Sequence, residues 1–331
     1  MEAEHVYGPV PSHRLGRSLG IDLVPYKTCT YDCVYCQLGR TTDKTVKRRE
    51  FVPVAPVLAE LERRLSGGCR PDYVSLAGSG EPTLHSGMGR LIEGIKSLTD
   101  VPVAVITNGS LLWSERLQEE LMMADVVLPS LDAGDEVSFA KINRPHPDIS
   151  FDLMLEGLTS FTKRFAGEVW LEVMLLAGST GTRAEAAKIA AHAEGVGAAR
   201  IQLNTPSRPA AEAEVLPLSR DEMVALERLF PGRVESVFQE REFEAGQAGS
   251  ATVSDSDLVA LVRRRPCTVE DIAAGLGLHV LDVLKRVDLL LASGVITCVA
   301  VNGKNYYHPA GGGSMRENQE GLPLAPPDSG G

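Results

Sequence analysis

Between residues 18 and 240, short runs of β-branched and other apolar residues take turns with longer stretches whose apolar positions recur every three or four residues. LGIDLVP (19–25) reads as a strand, and VLAELERRL (57–65) as a helix with Val57, Leu58, Leu61 and Leu65 on one face. DYVSLAG (72–78) and RLIEGIKSL (90–98) repeat the unit. VAVITNG (103–109) precedes a helix over SERLQEELMM (114–123), with Ser114 placed as its N-cap. DVVLPSL (125–131), a helix near 151–165, VWLEVMLL (169–176), a helix over 183–194 and ARIQLN (199–204) complete the series. Six strands with intervening helices predict an α/β fold: a parallel (β/α) barrel of about six units, partial or full. In such a sheet function gathers where strands end. LAGSGEPTL, ITNGS and LPSLDAG all fall at strand ends and are rich in Gly, Asn, Ser or Pro, which fits either turns or a shared polar rim.

The pattern changes near residue 245. The barrel is expected to occupy 1–244, AGQAGSATVS (245–254) to be a linker, and 255–309 to be a separate small unit. Three helices are predicted over 256–265, 268–277 and 279–294, then a hairpin from VITCVAV (295–301) and KNYYHP (304–309) around Asn302-Gly303. Three helices and a hairpin resemble a winged-helix module. Residues 310–331 have too few apolar positions to fold and are expected to be disordered.

Charge narrows the partners. The chain of 331 residues carries a formal net charge of −11, so its surface as a whole does not attract nucleic acid or anionic membrane. Residues 255–309 balance six acidic side chains against six basic ones, which makes DNA an unlikely ligand. RTTDKTVKRRE (40–50) is locally basic through Arg40, Lys44, Lys47, Arg48 and Arg49, either as a phosphate-binding edge or as a solvated loop. Neither a leader-like apolar start nor an apolar run of about 18 residues is present. A cytoplasmic location with no membrane partner is the expectation.

Three of the six cysteines, Cys29, Cys33 and Cys36, fall within eight positions, while Cys69, Cys267 and Cys298 are scattered. That is no disulfide framework. Clustered thiolates suit zinc or an iron–sulfur cluster. Zinc would want a fourth ligand, and His13 and His85 offer no motif partner. Three ligands on a four-iron cluster leave one iron open.

With Tyr35 just before Cys36, the segment resembles the C-x3-C-x-aromatic-C signature of the radical S-adenosylmethionine (SAM) superfamily, and the similarity in element order extends over residues 7–240. The resemblance implies a [4Fe-4S] cluster on Cys29, Cys33 and Cys36, SAM chelated at the open iron, and an external electron donor of flavodoxin or ferredoxin type. It places Gly78, Ser79, Gly80 and Glu81 in the family's glycine-rich SAM motif, where glycine permits close backbone approach to SAM, although Glu81 could instead cap the next helix. Asn108, Ser130 and Asp132 are implied as partners for SAM's ribose and carboxylate. Arg144 is a candidate partner for a carboxylate of SAM or substrate, or an ordinary surface arginine, and residues 202–204 could meet adenine through their backbone.

YGPVPSHRLGRSLGIDLVP (7–25) is similar to the branch whose neighbours modify the wyosine base of transfer RNA, although a second set of clustered cysteines is missing. Arg14 and Arg17 either touch substrate or close the barrel. The expected function is an oxidoreductase or transferase acting on a macromolecule, transfer RNA first and a peptide second, with the C-terminal unit recruiting it. A transcription regulator sensing redox state or SAM is the competing expectation.

Overall fold

The computed structural model describes residues 5–12, 14–237, 254–301 and 303–310. The linker expected over 245–254 lies outside them except for Ser254, as do the tail beyond Ala310, His13 and the turn residue Asn302.

Its centre is one eight-stranded sheet in the order β1 (Val6–Ser12), β2 (Gly16–Ile21), β5 (Tyr73–Leu76), β6 (Val103–Thr107), β7 (Val126–Pro129), β8 (Glu168–Met174), β9 (Arg200–Asn204) and β10 (Val234–Ser236). β1 runs antiparallel to β2, and every other neighbouring pair is parallel. β1 and β10 are the two edges, so the barrel is partial. A separate short ladder joins β3 (Thr28–Cys29) to β4 (Asp43–Lys44). The connections carry α1 (Val54–Ser66), α2 (Met88–Leu98), α3 (Glu115–Leu121), α4 (Glu136–Ile142), α5 (Phe151–Arg164), α6 (Arg183–Val196) and α7 (Arg220–Glu227).

Period-two alternation sorts the strand residues between two faces. Val74, Leu76, Val103, Val105, Val127, Val169, Leu171 and Val173 belong to the main core, shared with Leu61, Leu91, Ile92, Leu117, Leu158, Phe161 and Ile189 of the helices. Burial of such a face supplies most of the folding free energy, at about 25 cal/mol per Å² of apolar area. On the opposite face Leu15, Ala104, Val126, Leu128 and Trp170 form a smaller apolar cluster. Farther along the same strands this face turns polar, with Ile106, Ser130, Glu172, Met174 and Asn204 lining a cavity. The strands are thus sealed toward the helices and open a polar surface toward their C-terminal ends.

The six expected strands and five expected helices of this part all form, with ends shifted by a few residues. Ser114 stands at the N-cap of α3 but makes no capping hydrogen bond through its side chain. β1, β10, α4 and α7 were not expected. β1 contains Pro9, which a strand tolerates at a sheet edge, and α4 has only seven residues, too short for a periodic signal.

After Ser254 come α8 (Asp255–Arg264), α9 (Val269–Leu276), α10 (Val280–Ala292) and an antiparallel pair, β11 (Ile296–Val301) with β12 (Lys304–Pro309). Leu258, Leu261, Ile272, Val283, Val287, Ile296 and Tyr307 form their own core, with Val10 of β1 packed against it. The segment is tied to the sheet. Arg208 donates to the Pro266 carbonyl (2.9 Å) and to Asp271 (3.0 Å), Tyr306 donates to the Ser207 carbonyl (3.0 Å), and the Arg264 guanidinium lies 4.3 Å from the Tyr7 ring. No helix among the described residues is long and apolar enough to cross a membrane.

Candidate functional site

Residues 22–53, between β2 and α1, form a long loop that carries the three clustered cysteines. Its backbone is pinned from several sides. Asp32 and Val34 donate their amides to the carbonyls of Asn143 (3.0 Å) and Ile142 (2.9 Å), and Thr45 donates to Cys29 O (3.0 Å). Cys29, Cys33 and Cys36 are free thiols that line one cavity of about 390 Å³. Burial pushes the Cys29 thiol up to about 12, helped by the Glu81 charge, and pushes Cys33 well above the ordinary thiol range, helped by Asp132.

Each sulfur has its own nitrogen neighbour. Asn108 Nδ2 is 3.5 Å from Cys29 Sγ, Asn143 Nδ2 is 3.5 Å from Cys33 Sγ, and Lys27 Nζ is 3.3 Å from Cys36 Sγ. Lys27 is buried, has a φ of 62°, and also donates to the Gly39 carbonyl. Among the described residues no three His, Cys, Asp or Glu side chains are grouped to hold a single metal ion. The three thiols line a common space, which suits a thiolate-held group.

The glycine-rich loop after β5 locks onto the cysteine loop. Lys27 N donates to Ser79 O (2.7 Å), Glu81 N donates to Thr28 O (3.1 Å), and Ser79 donates through its amide (3.1 Å) and hydroxyl (2.5 Å) to Asp22. A Cβ at Gly80 would overlap the Thr28 carbonyl, and one at Gly78 would overlap the Asp22 carboxylate. The close approach that glycine was expected to allow toward a ligand is thus already used here by the protein itself.

Glu81 is buried and fully used. Oε1 accepts from Thr83 N (3.0 Å), Thr83 Oγ1 (2.6 Å) and Thr107 Oγ1 (2.6 Å), and Oε2 accepts from Asn108 N (2.8 Å). It does cap the following helical turn, Pro82–Leu84, and also fixes the loop after β6. Burial raises its pKa, against the lowering effect of those donors. Asn108 donates to Thr30 Oγ1 (2.7 Å) and accepts from Ser110 N (3.0 Å).

Asp132, after β7, is buried, and burial raises its pKa too. It accepts from Met174 N (3.0 Å), Asn143 Nδ2 (2.9 Å) and the Tyr35 hydroxyl. Tyr35 therefore faces a carboxylate of the protein. Gly78, Ser79, Gly80, Glu81, Asn108, Ser130 and Tyr35 all line the cavity with the cysteines.

Arg144 does not join them. It has a φ of 45° and donates to Glu212 Oε1 (2.6 Å), an acceptor shared with Arg40 (2.6 Å), and it is absent from the cavity wall. The carboxylate it meets is the protein's own, where one of SAM or substrate was expected. The basic stretch is likewise engaged: Arg48 pairs with Glu120, Arg49 with Asp43, and Lys44 donates to the carbonyls of Arg144 and Pro145 (both 3.2 Å). Arg17 is held through its amide by Asp72 (2.7 Å), whereas Arg14 lines the cavity and pairs with Glu172. Of residues 202–204, Asn204 reaches the cavity, and its carbonyl already accepts from Leu175 N (2.8 Å). Lys27, Glu172, Arg208 and Arg265 also line the wall and were not singled out from the sequence. Only Lys27, two residues before Cys29, gave a local signal there.

Comparison with known proteins agrees with this geometry. A family model described as the radical SAM superfamily matches residues 23–190. A UPF0026 protein of Helicobacter pylori is 32% identical over 308 residues, covering 91% of this chain and 96% of that protein. A UPF0026 protein of Methanocaldococcus jannaschii is 39% identical over 213 residues, 64% of this chain and 66% of the relative. A protein named GTPase Obg from Brachyspira hyodysenteriae is 35% identical over 304 residues, 92% of this chain but only 45% of that longer protein. Among solved structures, a radical SAM methyltransferase from Sphaerobacter thermophilus has a TM-score of 0.51 at 16% identity, covering 66% of each chain. Streptococcus suis SuiB has a TM-score of 0.51 at 14% identity, covering 75% of this chain and 56% of its own. These last two are likenesses of fold.

Proposed function

Because the chain belongs to the radical SAM superfamily, we propose that it is an enzyme holding a [4Fe-4S] cluster on Cys29, Cys33 and Cys36 and binding SAM beside it. When bound, the cluster supplies the electron that splits SAM into methionine and a 5′-deoxyadenosyl radical, which abstracts hydrogen from substrate. The observation that carries this reading is the single cavity in which three free thiols each have a separate nitrogen neighbour. Hydrogen bonds to cluster sulfurs are a lever on reduction potential.

In this reading the 78–81 loop, Asn108 and Ser130 offer polar groups to SAM, while Tyr35, Asp132 and Asn143 hold the far side of the cysteine loop in place. The wall beyond the cradle supports an enzyme over a sensor, because a sensor needs no room for substrate. Residues 255–309 are read as a winged-helix module that helps hold a macromolecule. Transfer RNA, the substrate of the wyosine-like branch, is the first proposal, with electrons from a flavodoxin- or ferredoxin-type donor.

Anaerobic purification followed by iron and sulfide analysis tests the first step: about four of each per chain are expected. Cys69→Ser and Cys298→Ser should leave that content unchanged, and Cys29→Ala, Cys33→Ala or Cys36→Ala should remove most of it. Dithionite-reduced protein with SAM should then form 5′-deoxyadenosine, read by chromatography. An intact, reducible cluster that never yields the nucleoside would refute the enzyme reading. Copurified nucleic acid or peptide would discriminate between the substrates.

A further inference from the structure

The same cavity gathers three arginines from distant parts of the chain. Arg14 comes from the β1–β2 turn, Arg208 from the segment after β9, and Arg265 from the end of α8, some 250 residues after Arg14 in sequence. Two have carboxylate partners: Arg14 pairs with Glu172, and Arg208 pairs with Asp271 at 3.0 Å while its Nε donates to Pro266 O. Arg265 has none among the described residues. Its Nε is buried without a hydrogen-bond partner; its side chain meets the Cys267 thiol and feels the Asp271 charge without pairing with it.

Three guanidiniums thus share two carboxylates, and Arg265 is the one without an ion pair of its own among the described residues. A desolvated cation that has to share its counter-ion is costly, and a fold that retains one gains when an anion arrives. Guanidinium is also the group whose planar donors match phosphate and carboxylate oxygens. The three charges are close enough to act on one another: burial, then Arg265 and Arg208, lower the Arg14 pKa to about 10. An anion placed among them would relieve that repulsion.

We propose that Arg14, Arg208 and Arg265 form an oxyanion subsite that anchors the substrate through a phosphate or carboxylate group inside the cavity that the three cysteines also line. The proposal rests on the enzyme reading for its role in turnover and deepens it by naming the chemistry of the substrate. It also gives the C-terminal segment a direct part in the site, since Arg265 belongs to it.

Calorimetric titration of the cluster-loaded protein under anaerobic conditions and constant ionic strength tests it, with inorganic phosphate, inorganic pyrophosphate and malonate as separate probes. Saturable binding of phosphate or pyrophosphate identifies a phosphate-bearing substrate, and preference for malonate identifies a carboxylate. In either case Arg265→Met should weaken the bound probe about tenfold or more. Arg265→Lys, which keeps the charge and most of the stem, should weaken it several-fold and covers the possibility that the first variant does not fold. If none of the three probes binds, or if both Arg265 variants bind as tightly as the parent, the subsite is refuted. Formation of 5′-deoxyadenosine by the parent protein is recorded alongside. Its absence with oxyanion binding intact would sink the SAM-cleaving reading and leave the subsite standing.

Discussion

Glu81 illustrates how much a single side chain carries at this rim. Four donors converge on its two oxygens, from Thr83, Thr107 and the Asn108 amide, so one carboxylate ties the loop after β5 to the loop after β6. Glu81→Gln would turn a donor toward the Asn108 amide and should cost about 1–3 kcal/mol in urea unfolding, with weaker SAM binding as the Asn108 loop moves. Burial raises the Glu81 pKa, so its stabilising effect is full below the ordinary carboxylate range and declines as pH rises through the raised value. The stability gap between parent and Glu81→Gln should therefore be larger near pH 4 than near pH 7. The cysteines make a second case. Because burial pushes Cys29 up to about 12 and Cys33 well above the ordinary thiol range, both are thiols at neutral pH, and loading a cluster must expel their protons. Reconstitution in weak buffer should release at least about two protons per cluster formed, read with a pH indicator. The grouping of the three cysteines was legible in the sequence because their spacing is local. Arg208 and Arg265 were not, since only the folded chain brings them to the wall where Arg14 stands.

At the scale of elements, the site consists of loops that brace one another. The segment from Asp22 to Thr28 and the segment from Gly78 to Glu81 exchange backbone and side-chain hydrogen bonds, and glycine allows the contact. Gly80→Ala would force its methyl group into the Thr28 carbonyl, next to Cys29. We expect a loss of about 1–3 kcal/mol, as for an overpacked core, together with reduced iron content after reconstitution. A melt lowered with normal iron content would show that the loop contact is structural only. The strands and longer helices were readable because their faces are either fully apolar or regularly periodic, as in Val103–Thr107 and Met88–Leu98. The short ladder of β3 and β4 gave no signal. Two residues per strand have no period, and what sets them parallel is the fold of the cysteine loop as a whole.

For the whole molecule, the C-terminal segment is more than an appendage. Every cluster and SAM contact implied by the sequence precedes residue 250, which on its own would make the segment dispensable for uncoupled cleavage. The contacts argue otherwise. Arg264 stands 3.6 Å from Asp22, both side chains 11% exposed, and Asp22 in turn holds the Ser79 amide and hydroxyl. The same arginine covers the Tyr7 ring, whose hydroxyl donates to Ala77 O at 3.2 Å, one residue before Gly78. A change in the segment therefore reaches the glycine-rich loop through two routes. Arg264→Met would leave Asp22 with its Ser79 donors but without its cation. That should destabilise the protein by about 3 kcal/mol, the lower end for breaking a buried ion pair. Deleting residues 254–331 should have a larger effect, uncovering Val10 and Tyr7 and weakening SAM affinity in equilibrium dialysis as well as substrate turnover. A truncated protein that binds and cleaves SAM like the parent would show that the segment serves substrate alone, and that Asp22 keeps Ser79 in place without Arg264.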